Sequence, residues 1–144
     1  MISSVDGNKL IIKKQNKMGM YTELIFGAEL KSDTPIDVIN TLKYLVGDID
    51  KPDNLLYTED RNPLMGGSYY FGVNTAVTKM YFDKISNAWV LSSRANIKNY
   101  GSEIEKFLEW IKPFIDSGSG YKEMYAIVIY EEDETPTLYY LHDD

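Results

Sequence analysis

The residues of this chain best suited to binding a ligand are tyrosines that lie near lysine and arginine on predicted strands. Strand alternation places them on the sheet face away from the helices. Aromatic rings beside cations on an open sheet can stack on bases or nucleotides, and aromatic patches are also favoured at protein interfaces. The same tyrosines could instead form ordinary cross-strand pairs with hydrated hydroxyls. The candidate residues are Tyr21, Lys79, Tyr81, Arg94, Lys98 and Tyr125, with Tyr130 as an alternative to Tyr125.

Catalytic residues are not indicated by any spacing in the chain. His142 is the single histidine and lies near the C-terminus, where a general base is poorly held against a substrate. The segment Gly66-Gly67-Ser68 lacks the lysine and the spacing of a phosphate-binding loop, and there is no nucleophile elbow or HExxH motif. We therefore expect a protein that is not an enzyme.

Metal and cofactor sites are also not predicted. The segment from Asp48 to Glu59 superficially resembles a calcium loop, but Pro52 and Asp53 stand where that loop needs an oxygen ligand and a glycine. The absence of cysteine excludes thiolate-bound zinc and iron–sulfur clusters. The acidic run at residues 131–134 is interpreted as a solvated hairpin tip or as a surface for a basic partner.

The composition is that of one globular domain. The chain has 144 residues, 44% hydrophobic and 26% charged, with a formal net charge of −7. That charge repels phosphates, so direct nucleic-acid binding is not expected. No apolar run has the length of a signal peptide or of a membrane span, so we expect a cytoplasmic protein without membrane contact. Residues 1–19 are predicted to be an arm and residues 20–144 a single domain.

The first half of the domain reads as a strand, a helix and a long loop. Alternation over Met20–Leu30 predicts a half-buried strand. Thr34 is the expected N-cap and Pro35 the first helical residue, and Gly47 is expected to end the helix. Asp48–Gly67 is then a polar loop of a length that is often functional.

The second half reads as a strand meander, a helix and a hairpin. The helix is predicted to begin at a capping box in which the Ser102 hydroxyl and Glu105 bind free backbone N–H groups, and to end at Pro113. The predicted strands are Ser68–Val73, Ala76–Asp83, Ala88–Tyr100, Tyr121–Glu131 and Thr137–Leu141. This order predicts an α+β fold, in which two helices cover one face of a mostly antiparallel sheet. The expected layout is ferredoxin-like, or split β-α-β, elaborated by a C-terminal hairpin.

The core is predicted from the apolar stripes of the two helices and one face of the strands. Its expected members are Leu24, Phe26, Ile39, Leu42, Trp89, Leu91, Phe107, Leu108 and Ile111.

Two segments resemble a motif of small uncharacterised bacterial and phage or prophage proteins. One runs from Arg94 to Pro113, with the pattern N-[IL]-K-N-Y-x-x-E-I-E-x-F-L-x-W-I-x-P, and the other from Tyr130 to Leu138. The resemblance covers residues 20–141 and implies an accessory protein of a mobile element. It implies no site residue and no activity.

Two functions are expected from these features. The first is a non-catalytic binding protein, such as a phage-type inhibitor or regulator that docks on a host protein, including a defence protein. The alternative is a binder of a small anionic ligand, such as a nucleotide, held by Arg94, Lys98 and nearby tyrosines.

Overall fold

A computed structural model describes residues 20–68, 75–118 and 123–142 of the chain. The arm predicted at residues 1–19, most of the strand predicted at Ser68–Val73 and the start of the strand predicted at Tyr121–Glu131 lie outside these residues. The elements are β1 (Thr22–Glu29), α1 (Ile36–Leu45), β2 (Val77–Asp83), β3 (Ala88–Ile97), α2 (Glu103–Ile111), a 3₁₀ turn (Lys112–Phe114), β4 (Met124–Tyr130) and β5 (Thr137–Tyr140).

The strands form one antiparallel sheet in the order β2-β3-β1-β4-β5. The central strand, β1, pairs with β3 on one side and β4 on the other, each in an unbroken antiparallel register. The prediction of an α+β protein with an antiparallel sheet and two helices is confirmed.

The core lies between the sheet and both helices. Leu24 and Phe26 of β1 belong to the same buried cluster as the apolar stripes of α1 and α2. Phe107 of α2 meets Phe26 edge to face, with ring centroids 5.7 Å apart. Eight of the nine predicted core residues are buried, and Trp89 is partly buried against the cluster. The helix stripes and the strand alternation therefore predict the core correctly, because both follow from local periodicity.

The two ends of α1 differ in how far they match the expected caps. The helix begins one residue later than predicted, and the Thr34 hydroxyl donates to the Lys31 carbonyl, at 2.6 Å, instead of capping the helix. At the other end Gly47 has φ +87°, and its N–H donates to Tyr44 O while the Asp48 N–H donates to Lys43 O. These two bonds form a Schellman motif. The prediction that Thr34 caps α1 is therefore wrong, and the prediction that Gly47 ends the helix is confirmed.

The start of α2 is placed correctly, but its capping residue is not the predicted one. Ser102 holds the N-cap position in a left-handed conformation, with φ 57°, and its side chain makes no capping bond. The Asn99 side chain takes that role, since its Oδ1 accepts the Ile104 N–H at 2.9 Å and its Nδ2 donates to Glu105 at 2.7 Å. With φ positive at Ser102, the chain enters the helix along a path on which Asn99, three residues earlier, reaches the free donor.

This capping predicts opposite effects at the two positions. We expect Asn99→Ala to lower the free energy of unfolding by about 1 kcal/mol, because the Ile104 N–H loses its acceptor. Ser102→Gly should raise it by about 0.5 kcal/mol, since glycine adopts the left-handed conformation without the Cβ cost. Urea denaturation followed by circular dichroism measures both. Ser102→Ala is the control and should change little; a loss of about 1 kcal/mol there would make the hydroxyl the cap.

Candidate functional site

Five of the six predicted binding residues lie on the sheet face away from the helices, here called the open face. Arg94 lies opposite Ile25 of β1 and Val77 of β2. Ile25 points away from the helices because its neighbours Leu24 and Phe26 point into the core. Lys79 and Tyr81 share the parity of Val77 along β2. Tyr21 and Lys98 continue the same alternation just beyond the ends of β1 and β3, where the Lys98 ammonium lies 5.7 Å from the centre of the Tyr21 ring.

Tyr125 is the sixth residue, and the prediction that placed it on the open face is wrong. Its ring is buried against Phe26 and Tyr139, at centroid distances of 6.2 Å and 6.3 Å. The pairing of β4 with β5 shifts between Met124 and Ala126, so Tyr125 is an extra residue in a bulge. A bulge breaks the period of two and turns the next side chain to the other face.

Tyr130, the alternative to Tyr125, lies on the helix side as well. It pairs with Thr22, which shares the face of Leu24, and its hydroxyl donates to the Met20 sulfur at 3.1 Å. Neither tyrosine of β4 therefore contributes to the open face.

The open-face residues form two separate groups. Lys98 covers the Tyr21 ring, and Lys79 covers the Tyr81 ring with its ammonium 5.0 Å from the ring centre. In the register Lys79 lies opposite Ser92, six residues from Lys98 on β3, which is about 20 Å along an extended strand. A small ligand cannot contact both groups at once.

Arg94, which lies between the two groups, carries a charge that is already compensated. Its guanidinium forms an ion pair with the carboxylate of Glu23, a side chain that is only 3% exposed. The hydrogen bond to Glu23, together with the charge of that carboxylate, raises the pKa of Arg94. An anion that bound Arg94 would have to leave a buried carboxylate without its partner, which is costly. Capture of an anion by Arg94 is therefore disfavoured.

A cleft of about 530 Å³ lies between the C-terminal end of α1 and the segment of residues 48–65, here called the long segment. The sequence indicated only that this segment could be functional. Side chains fasten it to the helices at several points. Asn62 donates to the Leu45 carbonyl at 2.6 Å, and the Thr41 hydroxyl accepts the Leu56 N–H at 3.1 Å. These bonds fix the position of the long segment beside α1.

Tyr57 connects the base of the long segment to α2. Its hydroxyl donates to the Glu103 carbonyl at 2.6 Å, and its ring stands edge to face on Phe107. Burial, followed by the nearby charges of Glu59, Glu103 and Glu105, raises the pKa of Tyr57. The hydroxyl therefore remains a donor at physiological pH, and this end of the cleft is built on the core.

The wall of the cleft is apolar and its rim is acidic. Tyr44, Leu55 and Met65 contribute apolar surface, and the Met65 side chain is 48% exposed. Residues 48–60 carry five carboxylates and one lysine. Of the two acids on the rim, Glu59 pairs with Lys106 at 3.1 Å, while Asp60 is exposed beside it. Lys51 is the one cation among the residues that line the cleft. The cleft therefore matches an apolar side chain that is flanked by positive charge.

His142 lies in a small polar cluster on another side of the molecule. Its Nε2 is 2.7 Å from the Ser117 hydroxyl, and that hydroxyl donates to the Glu123 carboxylate at 3.1 Å. A serine hydroxyl has one proton, so a hydroxyl that donates to Glu123 must accept from Nε2–H. In this arrangement the serine proton points to Glu123 and not to the imidazole.

Residues 20–68, 75–118 and 123–142 contain no group of three or more histidine or acidic side chains that could hold a metal ion. Within the same parts of the chain, no helix has both the length and the apolar character needed to cross a membrane.

The cleft was missed by sequence reasoning because its walls are far apart in the chain. The available signal was the pair Asn54 and Asn62, amides in a proline-containing loop next to a capped helix. Asn54 donates to Asp37 at 2.7 Å, and Asn62 donates to the last carbonyl of α1. Amides at such positions bind free backbone or acidic groups at helix ends.

Comparison of the chain with protein-family models, with curated proteins and with solved structures finds no match. The resemblance of residues 94–113 to phage-type proteins therefore stays a prediction.

Proposed function

We propose that this chain is a non-catalytic protein-binding domain that receives a segment of its partner in the cleft beside the long segment. The observation that carries the proposal is the cleft itself, about 530 Å³ in volume, with an apolar wall and an acidic rim. Its size suits a few side chains of a partner protein. Its supports are hydrogen bonds to both helices, so a partner would meet a preformed surface.

The chemistry of the cleft defines the partner segment. The exposed Met65 and the Leu55 side chain favour a large apolar residue, because methionine adapts to irregular apolar surfaces. The carboxylates of residues 48–60 favour lysine or arginine next to that residue. The partner we propose is a host protein, a choice that depends on the resemblance to phage-type proteins, and binding would inhibit or regulate that protein.

The finer layout of the fold is part of the proposal. We infer a ferredoxin-like arrangement elaborated by a C-terminal hairpin. The chain order strand–helix–strand–strand–helix–strand supports it, as do the antiparallel pairing of β1 with both β3 and β4 and the addition of β5 beside β4. In this arrangement the cleft lies on the helix side of the sheet.

The proposal predicts that one substitution in the cleft abolishes partner capture. The bait proteins are the wild type, Met65→Lys and Met124→Lys, each immobilised and exposed to a bacterial lysate. Met65 and Met124 are both 48% exposed, so the two variants make the same chemical change at equal exposure. We expect Met65→Lys to reduce the retained partner at least about tenfold, because a cation replaces apolar contact.

Met124→Lys should retain the partner at the wild-type level, and circular dichroism must show that both variants are folded. Equal loss in both variants, or retention in both, would contradict the cleft as the site. Lys98→Glu distinguishes the open face: if it releases a partner that Met65→Lys retains, the partner binds the open face instead. If the wild type retains no protein, the proposed function is wrong.

A further inference from the structure

The outer strand β2 presents an edge that is suited to pairing with another strand. Within the described parts of the chain, no strand pairs with the side of β2 that faces away from β3. Val77 is 67% exposed, and Ile85, in the turn that follows β2, is 98% exposed. An edge of this length with apolar side chains is a template for strand addition, and natural proteins usually protect such an edge with charge. Lys79 is the one cation within β2.

When β2 pairs with β2 of a second copy, one register places its charges opposite charges of unlike sign. In antiparallel self-pairing centred on Tyr81, Lys79 lies opposite Asp83 of the second copy, and the two-fold symmetry repeats this pair. The same register places Tyr81 opposite itself, while Val77 lies beyond the last residue of the other copy's β2. Directly opposed unlike charges and aromatic pairs each stabilise a sheet. Centring the pairing on Lys79 instead would oppose two like charges, which destabilises a sheet.

The open-face parity of β2 agrees with this register. Val77, Lys79, Tyr81 and Asp83 alternate along the strand on one face. A two-fold axis perpendicular to the sheet keeps the open faces of both copies on the same side, so each opposed pair is also on one face. The Asp83 carboxylate accepts the Ile85 N–H at 2.9 Å, which fixes it at the end of the strand where Lys79 of the other copy would lie.

We propose that a second copy of this chain pairs with β2 across a two-fold axis at Tyr81, which joins two five-stranded sheets into one. The occupant is a second copy because the charges of β2 are complementary to those of β2 itself. The cleft of the proposed function is lined by residues of α1 and of the long segment. Dimerisation is therefore tested independently of partner capture.

Charge reversal tests the register. Sedimentation velocity over a concentration series should show a monomer–dimer equilibrium for the wild type. Lys79→Asp places a carboxylate opposite Asp83 of the other copy in both symmetry-related pairs. It should therefore raise the dissociation constant of the dimer at least about tenfold. Lys51→Asp is the matched control, since it makes the same charge change in the long segment and should leave the constant unchanged. An equimolar mixture of Lys79→Asp and Asp83→Lys should recover the dimer, because both opposed pairs are then unlike.

Disulfide formation provides a second test that does not depend on the Asp83 turn. The chain has no cysteine, so Tyr81→Cys introduces a single thiol at the proposed axis. Directly opposed residues of antiparallel strands are about 4.5–5.5 Å apart at Cα, within the range of a disulfide. Val77→Cys places its two thiols about 27 Å apart in this register and should not cross-link.

Under mild oxidation we expect a covalent dimer from Tyr81→Cys alone. A monomeric wild type at every concentration would overturn the proposal. So would equal effects of Lys79→Asp and Lys51→Asp, a mixture that does not recover the dimer while both variants are folded, or equal cross-linking at positions 77 and 81.

Discussion

Phe107→Ala is expected to lower the free energy of unfolding by about 3–5 kcal/mol, the range found when a fully buried phenylalanine is truncated. Phe107 has no exposed surface. Its ring contacts Phe26 of β1 at 5.7 Å and Tyr57 of the long segment at 5.8 Å, both edge to face. The substitution therefore leaves a cavity where the sheet, α2 and the base of the cleft meet, and it removes these two edge-to-face contacts together with a third ring contact, to Trp110.

Chemical denaturation of the variant and the wild type measures this loss. Phe82→Ala is the matched control, because it deletes the same atoms from a ring that is 42% exposed and contacts Trp89 at the sheet margin. We expect the control to cost at most about half as much, since much of its surface is in water before the change. Equal costs at the two positions would show that Phe107 is not the centre of the core.

Gly66→Ala is expected to destabilise the protein by about 3 kcal/mol, at the upper end of the range for overpacking. A Cβ at this position would overlap the Asn96 carbonyl oxygen and the Ile97 Cγ2 atom. The carbonyl belongs to the β3 backbone and cannot rotate away as a side chain can. The Gly66 carbonyl also accepts the Asn96 N–H at 3.0 Å, so relief of the overlap requires this bond to break and the long segment to leave the sheet.

Gly27→Ala is the control for this substitution. Gly27 lies in the interior of β1 with open space where a Cβ would lie, so alanine there should stabilise the strand by roughly 0.5 kcal/mol. Denaturation curves give both values, and limited proteolysis should cut residues 48–65 faster in Gly66→Ala alone. If the two variants are equally stable, the close approach of Gly66 to β3 does not anchor the long segment.

The sequence by itself determined the class of the fold and most of the core. The stripes that contain Leu42 and Phe107 repeat at the helical period, and Leu24 and Phe26 alternate as a strand requires. Gly47 marked the end of α1 because a left-handed residue is needed there. These features depend on residues within a few positions of one another, so they can be predicted from the amino-acid sequence alone.

Features that depend on a register or on the path of the chain could not be predicted from the sequence. Tyr125 turned to the helix side because β4 has one residue more than β5 at that point, and a period of two does not show a bulge. Ser102 lost its capping role because its left-handed backbone brings Asn99 to the free N–H.

The cleft depended on the tertiary structure more than any other feature. Its walls join α1 to the long segment through bonds such as Asn62 to Leu45, and Tyr57 reaches Glu103, 46 residues along the chain. Each residue has several possible partners at that separation. The choice among them is made when the sheet and both helices bury one common core, because only then are the unsatisfied carbonyls and the long segment brought within hydrogen-bond distance.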